Sequence, residues 1–199
     1  MALASAAEVR AFVPALASAD DTRLDTLIAR ADTAFARYCH HPRNDAGTYT
    51  MEAATYTLYP GPEAIGWGSE RYALTLPLPD LATVTSVHVD PEQDYGADTL
   101  VDSAYYAIRG RAIEMLIDTD TVWSESPRAN KVVVTAGYDP DDDDDLKQAC
   151  IIQVTHWVKN LPGAGSRNSS TQQSSRTVDR LGLLDEVKDL LDPYRIPVP

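Results

Sequence analysis

The hydrophobic period of this chain changes twice, and that double change does most to limit the possible fold. From Asp21 to about His40, Leu24, Leu27, Ile28, Ala31, Phe35, Tyr38 and Cys39 recur at helical spacing and make one stripe. From Thr48 to Thr135 the period drops to two. Thr-, Tyr- and Val-rich runs (48–59, 71–78, 82–90, 103–110, 112–117 and 131–138) alternate with Pro, Gly and Asp clusters. Helical spacing returns over Leu146 to about Asn160, where Leu146, Ala149, Cys150, Val154, Trp157 and Val158 share a face widened by Ile151 and Ile152. No helical crossover separates the strand-like runs, which argues against a parallel sheet. The expected fold class is α+β: a small helical core formed by the N- and C-terminal helices, with an inserted antiparallel β-rich region.

The organisation follows. Residues 1–47 hold the N-terminal helices of the core, and 48–138 the inserted antiparallel β region. Residues 139–161 form the central core helix, 162–181 a flexible loop, and 182–199 a C-terminal helix and extended tail. Ser5 and Glu8 have capping-box spacing before a first short helix. His41-Pro42 is expected to stop the second helix, and Arg109-Gly110-Arg111 to turn a hairpin. The stretch 161–180 is rich in Gly, Ser and Gln without a period and carries Arg167, Arg176 and Arg180, which reads as a linker. Asp192-Pro193 breaks the last helix. Two prolines in the final three residues then favour extended geometry.

Charge narrows the function. Lys and Arg number 17 against 30 Asp and Glu, a net charge of −13 on 199 residues. Phosphate binding needs clustered Lys and Arg, so bulk charge excludes a simple nucleic-acid binder. Residues 1–100 hold 6 basic against 14 acidic side chains, and 101–199 hold 11 against 16, so the whole surface is expected to be acidic. No apolar run approaches the ~20 residues of a membrane span. The Ala-rich start lacks a basic n-region, and Glu8 and Arg10 interrupt any apolar one. The expectation is a soluble protein that is not secreted. Cys39 and Cys150 fall at apolar helical positions and read as buried thiols.

Motifs for chemistry are few. Asp139-Pro140 and the five aspartates Asp141–Asp145 could hold a divalent cation, but an EF-hand loop starting at Asp139 would need Gly at Asp144 and Glu at Cys150. The simpler reading is that these carboxylates cap and complement the N-terminus of the helix behind them. The alternative is a metal-binding protein or metal-dependent hydrolase using Asp141–Asp145. Cys39, His40 and His41 lack a second pair at zinc spacing. There is no GxSxG, P-loop, GxGxxG or HExxH. Neither a catalytic residue nor a cofactor is expected.

Several stretches together resemble a known family: ASAAEVRAF near the start, the helix ADDTRLDTLIARADTAFARYC, Thr135-Ala136-Gly137-Tyr138 followed by Asp145-Leu146-Lys147-Gln148-Ala149, and the closing Leu190-Leu191-Asp192-Pro193-Tyr194-Arg195. Their order is similar to the head–tail connector, or adaptor, proteins of long-tailed phages and gene transfer agents. It covers both helical ends, about half the chain; the β-rich middle matches only in general character and is longer than in the family. The resemblance implies a structural, non-enzymatic protein of the particle neck, assembled in the bacterial host cytoplasm. It implies a ring of about twelve copies below the portal protein, a platform for the next connector (stopper) protein, and a channel through which DNA passes without being specifically bound. It also implies a portal-binding tail, Tyr194, Arg195, Ile196, Pro197, Val198 and Pro199, anchored by Tyr194 and Ile196; the plainer reading is that Tyr194 and Arg195 pack back on the chain's own helices. Arg23, Asp25, Arg30, Asp32 and Arg37, on the polar face of the second helix, are candidates for the contact between ring neighbours. Trp67, between two glycines, is a candidate contact for the downstream connector.

Overall fold

The computed structural model describes residues 2–13, 20–66, 73–79, 81–116, 122–160 and 182–197. The chain begins with α1 (Ala6–Phe12), closed at its N-terminus by the Ser5/Glu8 capping box. It continues with α2 (Asp21–Tyr38), capped by the Asp20 carboxylate on the Thr22 N–H. Among the described residues six strands follow: β1 (Ala54–Leu58), β2 (Ala73–Thr75), β3 (Leu81–Val89), β4 (Tyr106–Arg109), β5 (Ala112–Met115) and β6 (Asn130–Ala136). Then come α3 (Asp144–Asn160), α4 (Asp185–Leu191) and a 3-10 turn, Asp192–Tyr194. The fold is α+β, with the helices at the two ends of the sequence and the antiparallel strands between.

The strands make two three-stranded antiparallel sheets, ordered β1-β6-β3 and β2-β5-β4. Along β6 burial alternates strictly, with Asn130, Val132, Val134 and Ala136 inside, because successive side chains point to opposite faces. Tyr56 and Val87 on the first sheet meet Leu74, Ile113 and Met115 on the second. Leu76, Leu78, Val101 and Trp123 fill the same apolar cluster. This is a small sandwich. Gly110 has φ 55° at the β4–β5 hairpin tip, the left-handed geometry that glycine adopts without Cβ strain. The register of β3 against β6 slips twice, at Leu81/Thr83 and Val84/Ser86, so β3 does not alternate cleanly.

A second cluster joins the helices. Leu3 and Val9, then Leu24, Ile28, Ala31 and Phe35 of α2, pack with Leu146, Cys150, Val154 and Trp157 of α3 and Val187 and Leu191 of α4. Gln153 is fully buried within it. Its amide donates to Gly182 O (3.2 Å) and accepts from Leu184 N–H (3.0 Å), holding the chain that returns to α4. Trp157 also supports the exposed Arg30 guanidinium, 5.2 Å from its ring centroid.

The two clusters are tied where the chain enters and leaves the sandwich. Met51 N–H donates to Asp32 Oδ1 (2.7 Å). Tyr138 N–H donates to Met51 O (2.9 Å), and Ala53 N–H to Tyr138 O (3.2 Å). Gly137 sits between them at φ 130°, and a Cβ there would stand 2.4 Å from the Glu52 carbonyl oxygen. Only glycine fits this crossing.

Two expectations are corrected. Proline does not end α2. His40 adopts φ 61°, and the N–H groups of His40 and His41 donate to Arg37 O (3.2 Å) and Ala36 O (2.8 Å). That pair of bonds is a Schellman motif with histidine where glycine is usual. The extended tail begins at Arg195 and not at Tyr194, because Tyr194 completes the 3-10 turn.

Candidate functional site

The C-terminal segment reads as the best candidate, and the fold gives it a definite seat. The Schellman turn folds the chain away after Tyr38 and leaves the Cys39 carbonyl pointing off the end of α2. Ile196 N–H donates to that carbonyl at 2.9 Å. The Ile196 side chain is buried, whereas Arg195 and Pro197 are exposed. Tyr38 Oη donates to Asp192 Oδ1 (2.9 Å), and Cys39 Sγ lies 3.6 Å from the Leu191 carbonyl.

Tyr194 lies half-buried on the other side of this seat. Its hydroxyl donates to Asp143 Oδ1, and its ring meets Tyr138 edge-on at 5.0 Å between centroids. Burial, then the bond to Asp143, raise the Tyr194 hydroxyl pKa well above its usual value. Arg195 stacks its guanidinium 5.3 Å from the Tyr38 ring centroid and brings Nη2 to 3.3 Å from His40 Nε2. Pro197 borders a groove of about 440 Å³ on the sandwich, walled by Leu58, Tyr59, Pro60, Leu76, Pro77 and Arg111.

His41 lies behind Tyr138, with ring centroids 6.0 Å apart. It is 2% exposed, and neither ring nitrogen has a hydrogen-bond partner among the described residues. Burial pushes its pKa down to about 4; the Thr50 and Tyr194 backbones come near, without good hydrogen-bond geometry, and offset only part of that. Asp32 is pushed up to about 6 by burial, against the bond from Met51 N–H.

The acidic run divides into separate local roles. Asp139 Oδ1 accepts the Asp141 N–H (3.0 Å), and Asp143 receives Tyr194. Asp144 and Asp145 occupy the first turn of α3, where the helix end favours negative charge. Lys147 reaches Asp141 (3.8 Å) and Glu8 (3.4 Å). Among the described residues no three His, Cys, Asp or Glu side chains converge as a metal-holding group.

The α2 candidates face different ways. Asp25 and Arg30 are exposed and Arg23 is half-buried. Arg37 is exposed and lies 4.9 Å from the Tyr49 ring centroid. Asp32 is turned inward to Met51. Trp67, Val198, Pro199 and residues 161–181 lie outside the described residues. The sequence offered no cue for Tyr138, His41 and Asp143 as partners of the tail. The one usable signal was general: a Tyr hydroxyl near a core needs an acceptor.

No protein-family model matches the chain, and no curated protein matches it. Solved structures do share its fold. A chain in the neck of an empty gene transfer agent particle, computed with C6 symmetry, is 18% identical; the match covers 91% of this chain and 81% of that one at a TM-score of 0.55. A chain in the virion of a native gene transfer agent particle is 20% identical, with 91% and 80% covered and a TM-score of 0.54. At these identities the likeness is one of fold. The chain has the architecture of a protein chain found in gene transfer agent necks.

Proposed function

We propose that this chain is a structural head–tail adaptor of a tailed phage or gene transfer agent particle, without enzymatic activity. It assembles in the host cytoplasm as a ring of about twelve copies below the portal protein, in the particle neck. There it extends the DNA channel and receives the next connector (stopper) protein. The observation that carries this reading is the fold shared over 91% of the chain with a gene transfer agent neck chain. A neck with C6 symmetry also suits a ring whose copy number is a multiple of six.

The physical chemistry agrees. A net charge of −13 per copy gives a ring whose wall repels the phosphate backbone, so DNA slides through without adhering. The segment Tyr194–Pro199 docks on the portal, with Tyr194 and Ile196 as anchors and Arg195 pairing with a portal carboxylate. The test is electron microscopy of the chain mixed with its portal protein, with and without Tyr194–Pro199. The full chain is expected to decorate the portal as a ring, and the shortened chain to fold but not to dock. Docking by the shortened chain at unchanged affinity overturns the role of the tail.

A further inference from the structure

The tail that the adaptor reading assigns to the portal is already bound, to its own subunit. We infer that the helical core carries a binding site for a Tyr-Arg-Ile peptide segment, that the chain's own tail fills it in the free subunit, and that tail and site separate without unfolding the core. Only the tail's onward destination rests on the adaptor reading; its self-docking does not.

The site is small and specific. It offers one backbone acceptor, the Cys39 carbonyl, to Ile196 N–H (2.9 Å). It offers one carboxylate, Asp143, to the Tyr194 hydroxyl, and one ring edge, Tyr138, to the Tyr194 ring. The Tyr38 face takes the Arg195 guanidinium. A segment of order Tyr-Arg-Ile matches these in turn, with the middle side chain on the solvent side.

Three features make the tail separable. First, the site is complete without it. The end of α2 is closed by its own Schellman bonds, and α3 begins at Asp144 with two carboxylates in its first turn. Second, among the described residues of the tail Ile196 is the one buried side chain, so the gain from docking is offset in large part by the entropy of ordering Tyr194 to Pro197. Third, the docked tail brings the Tyr194 backbone close to His41, whose ring nitrogens are buried and unpartnered among the described residues, so the docked state carries an unsatisfied polar group beside the tail. Pro193, which follows the last turn of α4, fixes where the tail swings from.

The two buried cysteines report the motion. Cys39 carries the carbonyl that Ile196 N–H binds, with its thiol against the Leu191 carbonyl where α4 runs into the tail, and Cys150 sits in the middle of the helical core. The experiment is maleimide labelling of the free protein at neutral pH, with each cysteine followed by peptide mass spectrometry. Cys39 is expected to react at least ~10-fold faster than Cys150, because local opening needs less free energy than global unfolding. Ile196→Ser should accelerate Cys39 by roughly 10-fold or more and leave Cys150 unchanged. A chain shortened after Pro193 should regain slow Cys39 labelling when a Tyr-Arg-Ile-Pro peptide is added in excess. Equal rates at Cys39 and Cys150 in the wild type and in Ile196→Ser would show that the tail leaves only when the core unfolds, and would overturn the inference. No portal is present, so the outcome is independent of portal docking. A tail that opens here but is dispensable for docking sinks the adaptor's tail and leaves this site standing.

Discussion

At the scale of single residues, a buried and a half-buried ionisable group, His41 and Asp32, meet the same segment, Thr50–Met51, and their titrations oppose each other. His41 is held down to about 4 from its ordinary 6.5. Between those values the unfolded chain binds a proton that the folded chain refuses, so the His41 contribution falls as pH drops from 6.5 towards 4. Its full size is about 3 kcal/mol. Asp32 is raised from 3.8 to about 6, so the folded chain binds the extra proton and this contribution is lost as pH rises through 6. Urea unfolding between pH 4 and 7 separates them. Asp32→Asn should lose stability on acidification more steeply than wild type, and His41→Gln less steeply. Parallel pH profiles for all three proteins would refute both assignments. Neither shift was legible in the sequence. In the sequence His41 is simply the residue before the proline expected to stop α2, and Asp32 is one of the polar-face residues offered for contact with a ring neighbour. Burial in three dimensions, by segments far along the chain, separated them from their neighbours.

At the scale of elements, local periodicity carried far. The α2 stripe read from spacing alone packs as read, from Leu24 through Phe35, and the described strands fall on the alternating runs, with β3 and β6 each starting one residue earlier. What periodicity missed is where an element stops for reasons other than pattern. Residues 48–53 alternate like a strand, yet they run over α2 because Asp32 captures Met51 N–H. The sequence places the end of α2 at His41-Pro42, but the chain turns already at a left-handed His40. A histidine pays a steric penalty there that glycine avoids, while its exposed contact with Arg195 contributes little. His40→Gly should therefore stabilise the fold by about 0.5–1 kcal/mol, seen as a higher urea midpoint at unchanged m-value. A lower midpoint would mean that the His40–Arg195 contact outweighs the backbone strain.

At the scale of the whole molecule, the fold class was legible because the chain separates its two periods into blocks, and each block builds its own apolar cluster. The join between them was not legible: it depends on Gly137 passing close under Glu52, a contact 85 residues apart that no local pattern encodes. Charge acts at this scale too. Every copy carries −13, so copies approaching to form the proposed ring would repel one another over the Debye length, about 10 Å at 0.1 M salt and 3 Å at 1 M. The arginines of α2 that could offset this are partly engaged at home, Arg30 over Trp157 and Arg37 over Tyr49. Net repulsion should then dominate the encounter of free subunits. Sedimentation velocity is expected to give monomers at low salt and growing association as salt is raised, with no retention of duplex DNA by the chain at either salt. The opposite sign, rings at low salt that dissolve at high salt, would put attraction between complementary faces above the net charge. In that case Arg23, Asp25, Arg30 and Arg37 would be the first residues to reverse in sign, since a heterologous ring contact needs two unlike faces to match.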